Sequence, residues 1–174
     1  MNKKSALAIA AFGGAVTAAA LLGARFTPAP GTTAGSWYRR QEKSPLNPPD
    51  RVFEPVWTTL YTLMTIAAYR VWRKPEARSR ESALRLWFTQ LGLNAAWSPL
   101  FFGAKRPVIA FADLLALVAA QVAFVRKAQR VDRPAAWLFL PYIAWVVFAG
   151  YLNAEIIRRN GYDTRPLSLE EKGV

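Results

Sequence analysis

Five apolar runs, each close to the roughly 20 residues a helix needs to cross a bilayer, alternate with short basic connectors along this 174-residue chain. They are read as helices over about 5–26, 53–72, 83–102, 107–125 and 135–157, followed by a polar tail over 160–174. The expected fold is an all-α membrane protein. It is a single domain, a bundle of five transmembrane helices with a Pro- and aromatic-rich loop between the first two. Lys3 and Lys4 ahead of the first run also fit a signal peptide. The apolar part is long for one and no clear small-x-small cleavage site follows, so the run is read as a retained helix. Pro107 is well placed at a helix start. Only Gly103-Ala104-Lys105-Arg106 separates the third run from the fourth, which predicts a tight antiparallel hairpin.

Composition removes whole classes of chemistry. The chain has no cysteine and no histidine. Disulfides, thiolate or imidazole metal sites, and Ser-His or Cys-His nucleophiles are excluded. Histidine-ligated haem is excluded as well, whereas a tyrosine axial ligand is not. The net charge of +12 invites a nucleic-acid reading, but the basic residues sit between apolar runs. Arg70, Arg73, Lys74, Arg78 and Arg80 fill one gap, and Arg126, Lys127, Arg130 and Arg133 another. That is the pattern of spans with basic flanks, and no nucleic-acid partner is expected. The mean hydropathy of +0.09 is low only because charged connectors dilute the apolar runs. Basic residues nearly balance between the two ends, so charge does not orient the bundle.

The first connector is unusual. It reads Trp37-Tyr38, then Lys43-Ser44-Pro45-Leu46-Asn47-Pro48-Pro49, then Phe53-Glu54-Pro55-Val56-Trp57. Large rings and stiff prolines packed together suggest a shaped lid over a cavity. Polar and aromatic stripes inside the spans point the same way. Gln90, Asn94, Trp97 and Phe101 share one helical face. Trp57, Tyr61 and Met64 share another, with Phe53 one turn before. Tyr142, Trp145, Ala149 and Leu152 form a third, with Asn153 beside it, and Pro141 should kink that helix. Each stripe alone is more often interhelical packing. Three stripes and a lid together favour a common aromatic cavity.

Two acidic residues fall within membrane depth. Asp113 is expected to pair with an arginine or cap a loop, a proton relay being the less favoured reading. Glu155 is expected to pair within its helix to Arg158 and Arg159. Gly92 and Ala96 make a weak small-xxx-small pair, a site where two helices or two copies of the chain can approach.

These residues, in order and at these spacings, resemble the TspO family, the translocator proteins also called peripheral-type benzodiazepine receptors. The matching stretches run from Trp37-Tyr38 through Lys43-Ser44-Pro45, Pro48-Pro49, Phe53, Pro55-Val56-Trp57, Leu60-Tyr61 and Trp72 to Gln90 and Leu93-Asn94. They continue with Trp97, Phe101-Phe102-Gly103, Ala112-Asp113-Leu114-Leu115, Pro141-Tyr142-Ile143-Ala144-Trp145, Phe148-Ala149 and Leu152-Asn153. The resemblance implies a five-helix membrane bundle, often a homodimer, here through the helix bearing Gly92 and Ala96. It implies binding of tetrapyrroles such as protoporphyrin IX, of synthetic isoquinolines and benzodiazepines, and in some members of cholesterol. The implied cavity is lined or closed by Trp37, Tyr38, Pro48, Phe53, Trp57, Tyr61, Asn94, Trp97, Phe101, Trp145 and Ala149. Trp57 and Trp145 match two tryptophans implicated in light-dependent porphyrin breakdown.

One departure matters. Ala154 and Glu155 stand where sterol-binding members carry paired aromatics. Tyr151 lies six intervening residues before Arg158, one more than the sterol consensus permits. The leading expectation is a membrane protein that binds tetrapyrroles and transports, senses or scavenges them, with porphyrin as ligand and no required cofactor. Arg39, Arg40 and Lys43 at the mouth would steer anionic propionates. The alternatives are a light- and oxygen-dependent porphyrin-degrading enzyme, needing no acid–base pair, and a sterol- or lipid-binding regulator of a partner protein. The resemblance and the short Lys-bearing N-terminus suggest a bacterial source, with inner and outer membrane both open.

Overall fold

The computed structural model describes residues 2–162. It is helical throughout, with six α-helices: α1 (Lys3–Arg25), α2 (Thr33–Arg40), α3 (Phe53–Trp72), α4 (Arg78–Ser98), α5 (Pro107–Ala128) and α6 (Arg133–Arg159). A short 3₁₀ turn, Asp50–Val52, leads into α3, and a π turn, Pro99–Gly103, follows α4. Five of the helices fall on the five apolar runs. The sixth, α2, lies inside the first connector. The expected polar tail lies almost wholly outside the described residues.

The described residues support the five expected spans only in part. Three helices, α1, α5 and α6, are long and apolar enough to cross a membrane on length and composition. Helices α3 and α4 have the length, at 20 and 21 residues, but not the apolarity. The first two turns of α4 carry Arg78, Arg80, Glu81 and Arg85. In α3 the cost comes from aromatics and threonines. Thr58, Thr59, Thr62 and Thr65 each donate their hydroxyl to the carbonyl four residues back, at 2.9, 2.9, 2.8 and 2.9 Å. A threonine bonded in this way presents a methyl group outward with its hydroxyl satisfied, so a hydropathy sum understates how apolar α3 is.

Local rules explain the boundaries. Asn2 caps α1 by accepting from the Ser5 N–H at 2.8 Å. Pro107 opens α5, and Arg126 and Lys127 in its last turn oppose the negative end of the helix dipole. Pro141 sits inside α6, yet the helix runs on unbroken from Arg133 to Arg159. The α4–α5 hairpin closes as expected. Its corner is the π turn, where the Ala104 N–H reaches back to the Pro99 carbonyl at 2.7 Å. Gly103 is required there, because a Cβ would lie 2.8 Å from the Phe26 ring.

The closest packing is α4 on α5 and α5 on α6, with α3 laid on α6 and α1 closing over α3 and α4. Met64, Ala67, Ala68, Trp87, Leu117, Phe124, Phe139 and Tyr142 fill the core. Buried polar groups tie the helices together. The Trp87 indole donates to the Met64 carbonyl at 3.1 Å, joining α4 to α3. Asn153 joins α6 to α5: its amide, oriented to satisfy both its groups, donates to the Pro107 carbonyl and accepts from the Phe111 N–H.

At the opposite end, Asp132 is a clasp. It caps α6 through the Ala135 N–H at 2.9 Å. It also binds Arg70 of α3 at 2.9 and 3.3 Å, and Lys74 at 3.0 Å. Burial pushes its carboxyl up, but hydrogen bonds from Lys74, Arg70 and Ala135 outweigh that and hold it below the usual carboxylate range. A depressed folded value stabilises the protein above the unfolded value, near 4. That stability is lost as pH falls through the folded value. Asp132→Ala removes the cap and leaves two cations unmatched, and should cost about 3 kcal/mol. Thermal unfolding in detergent should show this loss at neutral pH. A matched loss in wild type only below about pH 4, absent in Asp132→Asn, should accompany it.

Candidate functional site

The connector between α1 and α3 is a folded lid. Thr32 caps α2 by accepting from the Gly35 N–H at 3.0 Å. Gly35 cannot be replaced cheaply, since a Cβ would collide with the Ala29 carbonyl oxygen. Helix α2 carries Trp37 and Tyr38 inward. Trp37 packs edge-on against Phe101 at 5.5 Å between ring centres, and Tyr38 packs edge-on against Phe102 at 5.3 Å.

The lid is stitched to the far end of α6. The Trp37 indole donates to the Tyr162 hydroxyl at 3.2 Å, and that hydroxyl donates to Gln41 Oε1 at 3.0 Å. The Glu42 N–H donates to Asn160 Oδ1 at 3.0 Å, while Asn160 Nδ2 donates to the Glu42 carbonyl at 3.0 Å. Ser44, buried, bonds to the Tyr151 hydroxyl at 3.2 Å. Inside the lid, the Tyr38 hydroxyl donates to Asn47 Oδ1, and the Asn47 amide donates to the carbonyl of the half-buried Pro48. The Lys43 ammonium lies 4.5 Å from the Tyr38 ring centre, over its face. Burial lowers the Lys43 ammonium from its ordinary value, against the opposing pull of Asp50. Burial, with Asp50 adding to it, raises the Tyr38 hydroxyl.

Beneath the lid two aromatic groups meet. The outer one holds Trp37, Tyr38, Trp97 and Phe101, with Trp97 and Phe101 stacked at 4.8 Å. The inner one holds Phe53, Trp57, Tyr61 and Trp145. Phe53 meets Trp145 at 5.8 Å and Trp57 meets Tyr61 at 5.2 Å. The Tyr61 hydroxyl donates to Asn94 Oδ1 at 3.2 Å, linking α3 to α4. Trp97 packs against both groups, and its indole N–H is buried without a partner. Ala149 is half-buried one turn beyond Trp145. The structure therefore gathers most of the residues singled out from the sequence into two groups of packed rings, with Trp97 against both. The rings lie on one another, so a flat ligand would have to part them. An open groove of about 290 Å³ lies elsewhere, lined by Pro55, Val56, Thr59, Leu60, Leu63 and Pro141.

Several residues of the site carry little or no signal in the sequence. Tyr142 lies on the Trp145 stripe and meets Trp57 at 6.2 Å, although it is not among the residues that the family resemblance places at the cavity. Gln121 is fully buried in an otherwise apolar helix. The rule that singles out Gln90 and Asn94 applies equally to it. Asn160 and Tyr162 offer no signal, because their role depends on contact with a lid more than a hundred residues away. Asp113 departs from expectation. It meets no arginine, and its Oδ2 is buried without a hydrogen bond. Glu155 pairs with Arg158 at 3.0 Å and Arg159 at 2.7 Å, as the spacing predicts. With Tyr151 held by Ser44 and Arg158 by Glu155, this end of α6 is already engaged. Among the described residues no cluster of three or more Asp, Glu, His or Cys could hold a metal.

Comparison with known proteins decides the family, because the TspO/MBR family model matches residues 11–159. The chain belongs to the TspO/MBR family. It is 38% identical over 147 residues to a translocator protein of Bos taurus, covering 80% of this chain and 85% of the relative. It is 38% identical over 165 residues to a tryptophan-rich protein TspO of Chlorobaculum tepidum, covering 92% and 99%. A tryptophan-rich sensory protein of Cereibacter sphaeroides is 36% identical over 137 residues, covering 76% and 85%. The match to the TspO/MBR family begins within α1 and ends at the last residue of α6. It thus takes in the lid, both aromatic groups and the Asp132 clasp.

The seam between lid and α6 yields a prediction. Asn160→Ala removes both halves of the clamp on Glu42, and each hydrogen bond is worth about 1 kcal/mol. Amide exchange across residues 36–44 should quicken by roughly thirtyfold, while exchange in α5 stays at its wild-type rate. Unchanged exchange in the lid would mean that its aromatic contacts alone hold it shut.

Proposed function

We propose that this TspO/MBR-family chain is an integral membrane protein whose five long helices, α1 and α3 to α6, span the bilayer. We propose further that it binds tetrapyrroles such as protoporphyrin IX beneath the α2 lid, in porphyrin transport, sensing or scavenging. The threonine back-bonding of α3 supports its place among the spans. The charged first turns of α4 would then lie outside the hydrocarbon. One observation carries the ligand reading: Phe53 packs on Trp145, Trp57 on Tyr61 and Trp97 on Phe101, with Tyr61 bonded to the Asn94 amide, in a chain whose lid bears Arg39, Arg40 and Lys43. Parted rings offer two faces for a flat macrocycle. Asn94 and Tyr61 offer hydrogen bonds, and the lid cations suit propionates at the mouth. Gly92 is exposed, and a Cβ placed there would meet nothing within 4 Å. It leaves α4 a smooth patch beside Ala96 for a second copy of the chain.

The test is a titration of detergent-purified protein with protoporphyrin IX in the dark, following tryptophan quenching. Saturable quenching at micromolar ligand is expected. Asn94→Ala should weaken it about tenfold, and Trp145→Phe should bind nearly as well as wild type. Linear quenching that is identical in all three proteins would mean that the porphyrin only partitions into micelles.

The contacts of Trp57 with Tyr61 and Tyr142, and of Trp145 with Phe53, favour a second reading. An excited porphyrin between two oxidisable indoles, each backed by further rings, is placed for electron exchange in the presence of oxygen. Light should then bleach the bound porphyrin to a spectrally new product in wild type. Trp145→Phe should stop this with binding retained, and bleaching at the wild-type rate in that variant would sink the photochemical reading.

A further inference from the structure

Below Trp57 lies a floor of neutral polar groups that carry buried atoms without a well-formed hydrogen bond. Gln90, Gln121 and Tyr142 are fully buried, at 0% exposure each. They come from α4, α5 and α6. The Gln90 amide donates to the Trp87 carbonyl at 2.8 Å, but its Oε1 accepts nothing. Neither Oε1 nor Nε2 of Gln121 is bonded, and the Tyr142 hydroxyl is likewise unbonded. Tyr142 faces the side-chain amides of Gln121 and Asn94 without a well-formed hydrogen bond to either. Its ring packs edge-on against Trp57. Four buried polar atoms without a well-formed hydrogen bond are costly, at about 1–3 kcal/mol each. Such groups call for a specific explanation.

We propose that Gln121 and Tyr142 form a binding subsite for the neutral donor–acceptor edge of a tetrapyrrole. The chemical class is a secondary lactam, an N–H beside a C=O. A primary amide such as Gln121 offers one donor and one acceptor side by side, the complement of a lactam edge. The charged group recorded against Tyr142 is the carboxylate of Asp113, so the floor does not suit a second carboxylate. The cations stand at the mouth, on Arg39, Arg40 and Lys43. From Tyr151, which bonds to the lid, down to Tyr142 is about 14 Å along α6, comparable to the width of a tetrapyrrole. A ligand anchored by its propionates at the mouth therefore brings its opposite edge to the floor. In a closed porphyrin that edge carries methyl and vinyl groups, and its N–H groups are turned inward. In a folded linear tetrapyrrole that edge carries the two terminal lactams. The floor thus favours the linear molecule over the macrocycle.

This inference rests on the proposed tetrapyrrole site but fails separately from it. Full-length protein, wild type, Tyr142→Phe and Gln121→Leu, would be titrated in the dark with biliverdin and with protoporphyrin IX. Tyr142→Phe removes one unbonded hydroxyl and keeps the ring, so the bundle should fold; thermal unfolding confirms that. Biliverdin affinity should fall about tenfold in each variant, as for loss of one hydrogen bond, while protoporphyrin affinity changes less than twofold. Infrared spectra should show the lactam carbonyl band of bound biliverdin shifted in wild type and unshifted in Gln121→Leu. Equal biliverdin affinity in all three proteins would overturn the inference and leave the floor as internal packing, with porphyrin binding intact. Saturable, variant-sensitive biliverdin binding beside non-saturable protoporphyrin would remove the porphyrin reading and keep this one.

Discussion

Every polar group carried into an apolar helix bundle must find a partner there, and this constraint organises the whole molecule. The α3 threonines meet it within their own helix. Trp87 meets it on the backbone of a neighbour, and Asn153 spans the start of α5. Tyr61 and Asn94 satisfy one another across two helices. These bonds also fix which face of each helix turns inward, since rotating any of them would strand a donor in an apolar setting. The exceptions are therefore informative. Gln90, Gln121, Trp97, Tyr142 and Asp113 all carry buried atoms without partners. Three of them, Trp97, Gln121 and Tyr142, touch or face the aromatic stack or Asn94. Where the rest of the bundle is careful about polar satisfaction, a local lapse of this size marks the place where a ligand's polar groups would be of use.

The lid extends the same logic to the surface. Its backbone cannot join a helix ladder between residues 41 and 49, so side chains supply the partners. Asn160 takes both backbone groups of Glu42, and Ser44 and Gln41 reach Tyr151 and Tyr162. All three anchors belong to the last turns of α6 or the residues just beyond. The same helix carries Trp145 and Tyr142 below. A displacement of α6 by a ligand parting the rings is thus communicated to the lid through short bonds and one rigid element. The Asp132 clasp pins the other end of α6 to α3 and defines the fixed point of any such movement.

Much of this was legible from the sequence, and the reasons are local. Apolar runs bounded by Pro107, Asp132 and the basic connectors mark α1, α3, α5 and α6 to within about one turn. Rings at helical spacing mark the faces that meet. What stayed hidden depends on partners distant in the chain. The short helix α2 is too brief and too polar to show as an apolar run, and it is held by the Thr32 cap and the close approach of Gly35 to Ala29. Composition supports only three of the five spans, because hydropathy scores threonine and tyrosine by type and cannot see a hydroxyl bonded to its own backbone. Gln121 stayed hidden for a simpler reason. A lone amide in a long apolar run looks like interhelical glue, and only its lack of any partner in three dimensions sets it apart from Gln90 and Asn94 as read on a stripe.

A chain without histidine or cysteine must recognise and transform ligands by other means. Here the available groups are sorted by depth. Cations and a folded lid occupy the mouth, indoles and phenyl rings fill the middle, and uncharged amides and a phenol form the floor. Each layer suits one part of a flat amphipathic ligand: its carboxylates, its ring faces and its far edge. On the proposed reading, the middle layer would bind any large planar molecule and so provide affinity with little discrimination. Charge at the mouth selects for acids and governs approach. Discrimination between ligands of the same size and charge falls to the floor, because a buried amide left unpaired by the wrong edge costs more than a lost van der Waals contact. On this reading, selectivity among acids of one size would belong to the residues farthest from the entrance, and affinity to the rings above them.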